Sequence, residues 1–465
     1  RWPLWPRTGL AANGKRSSDV SLSDPRVASL FRFIRHEYAA GEARLVYAFD
    51  DGPELVETIR FLDAPALAPE REVAFAHALQ LLHLIAGVSY YKAGVPPGIR
   101  IEGAGIDQQT ARFMDALYLH GLGEFAYHNK LDLRERIRFP ANRGASAAPA
   151  TACGLPRRTL VPIGGGKDSL VSVELLKRAG DPATAVWIGN SALIQSCAER
   201  TDLPMLNIGR AISPLLFEYN RAGAWNGHIP VTAINSAILV LAALLYGFDA
   251  VAFSNERSAS SATLEYDGIE VNHQWSKGWA FEMAFRAELH RRVATDLDYY
   301  SLLRPLSELA VAARFARSSH YDDVFSSCNR NFRILGPKPS DRWCGQCPKC
   351  HFVFLALAPF VPKPRLLKIF GRNLLDDPAQ TAGFDALIEY RDHKPFECVG
   401  EGRESRAAMA LLAKRAEWRE DAIVERFNRE ILGQLDAQEL DLPPLLTMTG
   451  GHHVPLPLVA LLEAG

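Results

Sequence analysis

Three glycines, Gly164, Gly165 and Gly166, are followed at once by Lys167, Asp168 and Ser169 in the stretch VPIGGGKDSLVSVELLKRAG, residues 161–180. Glycines let a backbone come close to a phosphate and tolerate positive φ. A loop that joins a strand to a helix also aims unpaired amides and the helix dipole at an anion. Lys167 adds a positive charge and Ser169 a hydroxyl donor at the same mouth. Asp168 would repel a phosphate, so it suits a bound Mg2+ or a helix cap. A Walker-type loop is longer and puts Ser or Thr directly after its Lys. Here Asp168 intervenes, so the loop is of another kind.

A second constellation is Cys344, Cys347 and Cys350, with Cys328 sixteen positions upstream of the first. Four thiolates at this spacing can close a tetrahedral zinc site, and Gly345 allows the tight bend. An iron–sulfur cluster, or thiols that are merely buried, are the other readings. His273 and Lys277 lie in NHQWSKGW, and Cys398 lies in KPFECVGE. These three are candidate proton-transfer groups, the thiol only if its pKa is lowered. A hydrogen-bonding histidine and a packed cysteine are the plainer alternatives. His83, on an apolar helix, reads as a core residue.

The glycine loop needs a strand before it and a helix after it. RTLVPI supplies the first, and Leu170, Val173 and Leu176 give the helix face. TAVWIG, MLNIGR and AVAFS read as further strands, and AINSAILVLAALLYG as a buried helix stopped by Gly247. The alternation is that of a parallel, doubly wound α/β sheet. In such a sheet the ligand crevice lies at the strand ends, which places Asn190, Asn255 and Glu256 near it. Upstream, RLVYAF and IRIEG read as strands, and EVAFAHALQLLHLIAGVSYYKAG and QQTARFMDALYLHGLG as helices. The Ala-, Pro- and Gly-rich segment from Phe139 to Arg158 reads as a linker. From about Arg365 the pattern is helical.

A chain of 465 residues exceeds one small core, so two or three domains are expected. The formal net charge of -1 argues against a nucleic-acid partner. No apolar run looks long enough to span a bilayer; the best, Ala233 to Tyr246, reads as a core helix. The opening residues, with Trp2 and Trp5, show no signal-peptide layout. Seven cysteines form no disulfide framework, which points to a reducing, cytoplasmic setting.

GGGKDS resembles the SGGxDS loop of the ATP-pyrophosphatase, or PP-loop, superfamily, over roughly residues 159–350. Gly164 replaces the first serine of that loop. A similar set of one upstream cysteine and a triplet occurs in PP-loop enzymes that make the deazapurine nitrile. LIAGVSYYKAG, IGGGKDSLVS, NHQWSKGWAFE, RWCGQCPKCHFVFLALAPF and HKPFECVGE together resemble one branch, the MurL family of UDP-MurNAc-L-Ala-L-Glu epimerases.

That resemblance implies an N-terminal α/β or α+β domain over residues 1–140 that binds the UDP-muramoyl group. A linker over 141–158, a PP-loop (HUP-like) domain with the cysteine cluster over 159–360, and a helical region over 361–465 follow. It implies an isomerase using ATP and Mg2+, with structural zinc on Cys328, Cys344, Cys347 and Cys350. Its substrate would come from a ligase that supplies the L-Glu precursor. Gly164, Gly165, Gly166, Lys167, Asp168, Ser169, Asn190 and Asn255 would face the nucleotide. Asp168, Glu256, His273, Lys277 and Cys398 would serve the chemistry, and Tyr90, Tyr91 and Lys92 the uracil and diphosphate. Two rivals remain open: a PP-loop enzyme that adenylates a nucleobase or tRNA, and a zinc-stabilised ATP-binding module without catalysis.

Overall fold

The computed structural model describes residues 23–142, 149–333, 336–391 and 393–464. The opening stretch with Trp2 and Trp5, and residues 143–148 of the expected linker, lie outside the described residues. Strands β1 (Leu30–Ala39), β2 (Glu42–Phe49) and β3 (Leu55–Phe61) form an antiparallel meander. In β1, Phe31 and Phe33 are fully buried, while Arg32 and Arg35 pair with Glu102 and Glu54, each at 2.6 Å. This is the one-sided alternation of an antiparallel sheet.

Helices α1 (Glu72–Ala86) and α2 (Val88–Tyr91) follow, then β4 (Gly98–Ile101), α3 (Gln108–Gly121) and α4 (Gly123–Asn129). From there strand and helix alternate: β5 (Thr159–Pro162), α5 (Lys167–Arg178), β6 (Ala183–Ile188), α6 (Ala192–Glu199), β7 (Met205–Ala211), α7 (Pro214–Arg221), α8 (Val231–Tyr246) and β8 (Ala250–Phe253). A hairpin of β9 (Leu264–Tyr266) and β10 (Ile269–Val271) precedes α9 (Trp279–Arg292), β11 (Asp298–Ser301), α10 (Glu308–Phe315) and α11 (Pro348–Leu357). Beyond these the chain is helical, with α12 (Lys363–Phe370), α13 (Thr381–Leu387), α14 (Gly402–Ala413) and shorter turns.

Nine strands form one sheet in the order β11-β8-β5-β6-β7-β3-β2-β1-β4. The first five are mutually parallel; the sequence pattern predicts β5, β6, β7 and β8, and β11 adds a fifth that it does not. The sheet as a whole is mixed, because β3 joins the edge of β7 antiparallel, Ile59 opposite Arg210. At that junction Arg210 reaches the buried Glu57 at 2.7 Å.

The parallel strands are apolar on both faces because both faces are covered. Leu160, Val186 and Val251 point into a core shared with α1 and α8. Val161, Ala185 and Ala252 point the other way, against α5, α10 and α11. Gly247 ends α8 in the left-handed region at φ 76, the stop its position predicts. Of the expected linker, Cys153 and Leu155 donate their amides to the Asp296 carboxylate at 2.8 and 3.1 Å. Among the described residues the helical run Pro69–Tyr91, rather than the α8 segment, is long and apolar enough to cross a membrane. Most of it is buried inside the protein, as a core helix is.

Gly87 separates α1 from α2 at a close approach: a Cβ there would lie 2.4 Å from Phe33 Cε1 and 2.9 Å from the Tyr118 hydroxyl. Both neighbours are fully buried. Gly87→Ala therefore overpacks this core and is expected to destabilise the protein by about 1–3 kcal/mol. Urea unfolding of the variant, read by near-UV circular dichroism, checks this.

Candidate active site

The loop between β5 and α5 runs over the C-terminal end of the parallel sheet, where doubly wound folds carry their ligands. Gly165 takes φ +84, a conformation glycine adopts without strain. Its carbonyl accepts from Ser326 N at 2.8 Å. A Cβ on Gly166 would lie 2.5 Å from Ser327 Oγ, whereas one on Gly164 would meet nothing within 4 Å. The loop is thus pinned on one side and open on the other. It opens on a cleft of about 1110 Å³, solvent at the mouth included. Its lining includes Gly164, Gly166, Asp168 and Ser169 of the loop and its helix, Asn255, Lys277, Lys349 and Cys398 from later segments, and Ser327, Asn329 and Phe332.

Lys167 does not line this cleft. Its ammonium is 1% exposed and pairs with both Asp168 and Glu308 beneath the loop. Burial opposes its charge, but the two carboxylates prevail and hold its pKa above the ordinary value. Asp168 meets the opposite balance: burial raises its pKa, and Lys167, Lys349 and Lys277 together bring it below the usual value. For Glu256 the balance tips the other way, despite the nearby charge of Lys277. Burial, then Glu308 and Asp168, push its pKa up to about 8, and its Oε1 has no hydrogen-bond partner.

The buried Arg304 ties this part of the site together. Its guanidinium donates to the carbonyls of Glu256 and Lys277 at 2.8 and 2.6 Å, and to Glu282 at 2.9 Å. Asn255 is also buried, its amide donating to Ser301 Oγ at 3.0 Å. Asn190 is exposed beyond the end of β6, outside the residues that line the cleft.

The three candidate proton carriers come together although the sequence separates Lys277 from Cys398 by 121 positions. Lys277 Nζ donates to Cys398 Sγ at 3.1 Å. His273 lies close enough to the Cys398 thiol for each to shift the other's pKa, and its Nδ1 bonds Glu124 at 2.5 Å. Burial resists a thiolate, yet Lys277, His273 and Lys349 outweigh it and set the Cys398 pKa well below that of a free thiol. In return His273, despite burial, is raised to about 10 by Cys398 and Glu124. The His228 ring lies 4.2 Å from that of His273.

Sequence reasoning missed Lys349, Glu124 and His228. The signal for Lys349 was its place between Cys347 and Cys350. Glu124 and His228 carried none, because only the fold brings α4 and the loop before α8 to His273.

Cys328, Cys344, Cys347 and Cys350 gather their sulfurs within 4.8 Å of one another, with Cys344–Cys350 at 3.8 Å and Cys347–Cys350 at 3.4 Å. Four sulfurs at about 2.3 Å from a tetrahedral centre stand about 3.8 Å apart, so this set can hold a metal ion of zinc's size. Glu124, His228 and His273 present ligand-type atoms at the same mutual range.

The residues expected to hold the uracil and diphosphate lie in the core. Tyr90 and Tyr91 have no exposed surface. The Tyr90 hydroxyl accepts from Ser213 N, and that of Tyr91 donates to Pro96 O. Lys92 is buried and donates to Asn226 Oδ1 at 2.5 Å. These groups offer a ligand no open face. His83 is likewise buried, its pKa lowered to about 3 by burial and by His36.

A mostly parallel sheet with a glycine loop at its C-terminal rim, and a charged cleft beside it, defines an α/β protein with a candidate ligand site at that rim. The particular family follows from comparison. Residues 23–302 match the MurL N-terminal domain and residues 324–441 the MurL C-terminal domain. The chain belongs to the MurL family. It is 63% identical over 439 residues to a UDP-N-acetyl-alpha-D-muramoyl-L-alanyl-L-glutamate epimerase of Xanthomonas oryzae pv. oryzae, covering 94% of this chain and 97% of the relative. Epimerases of the same name from Salinispora tropica and a Micromonospora species are 44% and 43% identical. They cover 85% and 90% of this chain, and 87% and 94% of their own lengths.

Glu256 makes the site's charge a matter of pH. The stability carried by its protonated form is complete below its unfolded value of 4.5 and declines as pH rises through about 8. Glu256→Gln removes that decline. Urea midpoints of wild type are therefore expected to fall relative to the variant across this window.

Proposed function

We propose that this protein inverts the terminal L-Glu of UDP-MurNAc-L-Ala-L-Glu to D-Glu during peptidoglycan precursor synthesis, through ATP-dependent activation of the glutamate carboxyl. The observation that carries the reading is the shared cleft. The glycine loop with Asp168 and the Cys398–Lys277 pair line one and the same ligand space. The names of the three relatives support the substrate.

The chemistry explains why a phosphate-type loop serves an epimerase. An α-proton beside a carboxylate is hard to remove, because the carbanion would form next to an existing negative charge. Adenylation by ATP, with loss of pyrophosphate, neutralises that carboxylate and makes its carbonyl an electron sink. A group on one face then takes the proton and a group on the other returns it. Hydrolysis frees the product and AMP.

Gly164, Gly165, Gly166 and Ser169 fit the phosphates through backbone amides and a hydroxyl. Asp168 is the carboxylate placed to hold Mg2+, which when bound shields phosphate charge. Lys167 acts from below, by keeping Asp168 ionised. Asn255 lies beside the nucleotide, and Asn190 outside the cleft meets its outer edge. Lys277 and Lys349 stabilise negative charge that develops on the carboxyl oxygens. Cys398, His273, Lys277 and Glu256 form the proton-handling group. The four clustered cysteines hold a structural zinc. Work on a nucleotide-linked precursor puts the protein in the cytoplasm, beside the ligase that supplies it, with neither nucleic acid nor membrane required.

The test is incubation with UDP-MurNAc-L-Ala-L-Glu, ATP and Mg2+ in D2O. One deuterium at the glutamate Cα, a D-Glu product and AMP are expected; inversion at full rate without ATP would refute the reading. Asp168→Asn should lower turnover by at least about 100-fold, and because it leaves the buried Lys167 with Glu308 alone it should also lower the melting temperature. Cys347→Ser should lose one zinc per chain by elemental analysis and melt at a lower temperature.

A further inference from the structure

Cys398 is placed as no proton carrier needs to be. It lines the same cleft as the glycine loop. Lys277 Nζ is 3.1 Å from its sulfur, and the Lys349 ammonium bonds its carbonyl oxygen. His273 is near enough to act on the thiol's pKa, and Glu124 bonds the Nδ1 of that ring at 2.5 Å. A cysteine with a histidine–carboxylate pair and an ammonium around it is the set of groups that covalent acyl transfer uses. The Lys277 ammonium beside the thiol can also stabilise negative charge that develops on an acyl oxygen.

We infer that Cys398 captures the activated glutamyl group as a thioester, and that this thioester is the species whose Cα proton is exchanged. The inference rests on the ATP-dependent reading above, which supplies the acyl donor. The Cys398 thiolate attacks the carbonyl carbon of the acyl-adenylate. The C–S bond forms, the bond from that carbon to the phosphate oxygen breaks, and AMP leaves with the electron pair. The α-proton passes to a neighbouring base, giving an enolate, and a proton returns to the opposite face. Water then attacks the thioester carbonyl, which restores the carboxylate and releases the thiol, whose proton returns to the cluster. No oxidant or reductant is needed.

The surroundings favour this role over that of base. A thiolate held far below the ordinary thiol pKa is a weak proton acceptor, but it stays nucleophilic and is a good leaving group. Acylation also changes its neighbours. Burial alone pushes His273 and Lys277 towards their neutral forms, and the Cys398 charge is among the causes that keep both protonated. Once the sulfur is acylated that charge is gone. His273 and Lys277 then give up protons more readily, next to the carbon that needs a base. Capture of the acyl group thus arms the proton-transfer step.

Rapid acid quench of the full-length protein with UDP-MurNAc-L-Ala-L-Glu, ATP and Mg2+, followed by peptide mass spectrometry, tests this. Expected is an added acyl mass on the Cys398 peptide that neutral hydroxylamine removes and that is missing without ATP. Cys398→Ala should retain substrate-dependent ATP–pyrophosphate exchange and lose all Cα deuterium incorporation. An unmodified Cys398 peptide throughout a time course in which deuterium enters Cα would overturn the thioester. So would epimerisation by Cys398→Ala. Absence of pyrophosphate exchange in the wild type would instead remove the acyl donor, and would overturn the ATP-dependent reading and the thioester together.

Discussion

The site depends on one buried cation. Lys167 lies under the glycine loop with almost no exposed surface, between Asp168 and Glu308. An ammonium so placed survives only if its partners stay ionised, since breaking a buried pair costs about 3–5 kcal/mol. This fixes the geometry from below. Glu308 begins α10, so the pair binds that helix to the first turn of α5. The glycine loop, which starts α5, cannot shift without separating charges that have no water to receive them. The loop is therefore presented rigidly, although its own residues have no side chains to pack.

The same logic runs through the segments after β8 and before α9. Arg304 is 2% exposed and satisfies the carbonyls of Glu256 and Lys277 with one guanidinium. It holds the segment after β8 and the turn before α9 at a fixed separation. The cysteine cluster sets a third fixed point. Cys347 and Cys350 bracket Lys349 at the start of α11, and Lys349 enters the cleft from there. A metal on these sulfurs would act on the site through that lysine. Stability and charge placement are here one property.

Much of this was legible in the sequence, in proportion to how local the signal was. The parallel strands, α5 and the stop at Gly247 follow from runs of a few residues each. The cysteine quartet follows from spacing. Lys277 and Cys398 could be singled out, but their contact could not, because it depends on how the segments around 277 and 398 meet. Lys167 pointed the other way from expectation: a lysine after three glycines suits phosphate binding, and only Glu308, 141 positions on, turns it inward. Tyr90 and Tyr91 show the converse error. Aromatic and cationic residues in a row suit a nucleotide, but α1 and α2 form a core helix pair, and the tyrosines follow that burial. β1 and β3 escaped notice because they alternate apolar with charged residues, and such strands show no apolar run.

The cleft then behaves as one titrating unit rather than a set of independent groups. Two unit charges 4 Å apart interact by about 4 kcal/mol at the effective dielectric of a protein site. A hydrogen bond from a loop amide contributes about 1 kcal/mol net. Removing the charge of Lys277 or of Cys398, which are 3.1 Å apart, therefore changes the proton affinity of the other by more than any one loop contact changes binding. Glu256 registers this directly, since Glu308 and Asp168 raise its pKa and Lys277 lowers it. A ligand that brings phosphate charge to the glycine loop adds to the field felt at Lys277 and Lys349. One that leaves takes it away. Charge at the glycine loop and proton affinity at Glu256 and Lys277 are coupled by Coulomb's law within one cluster, with no moving part required.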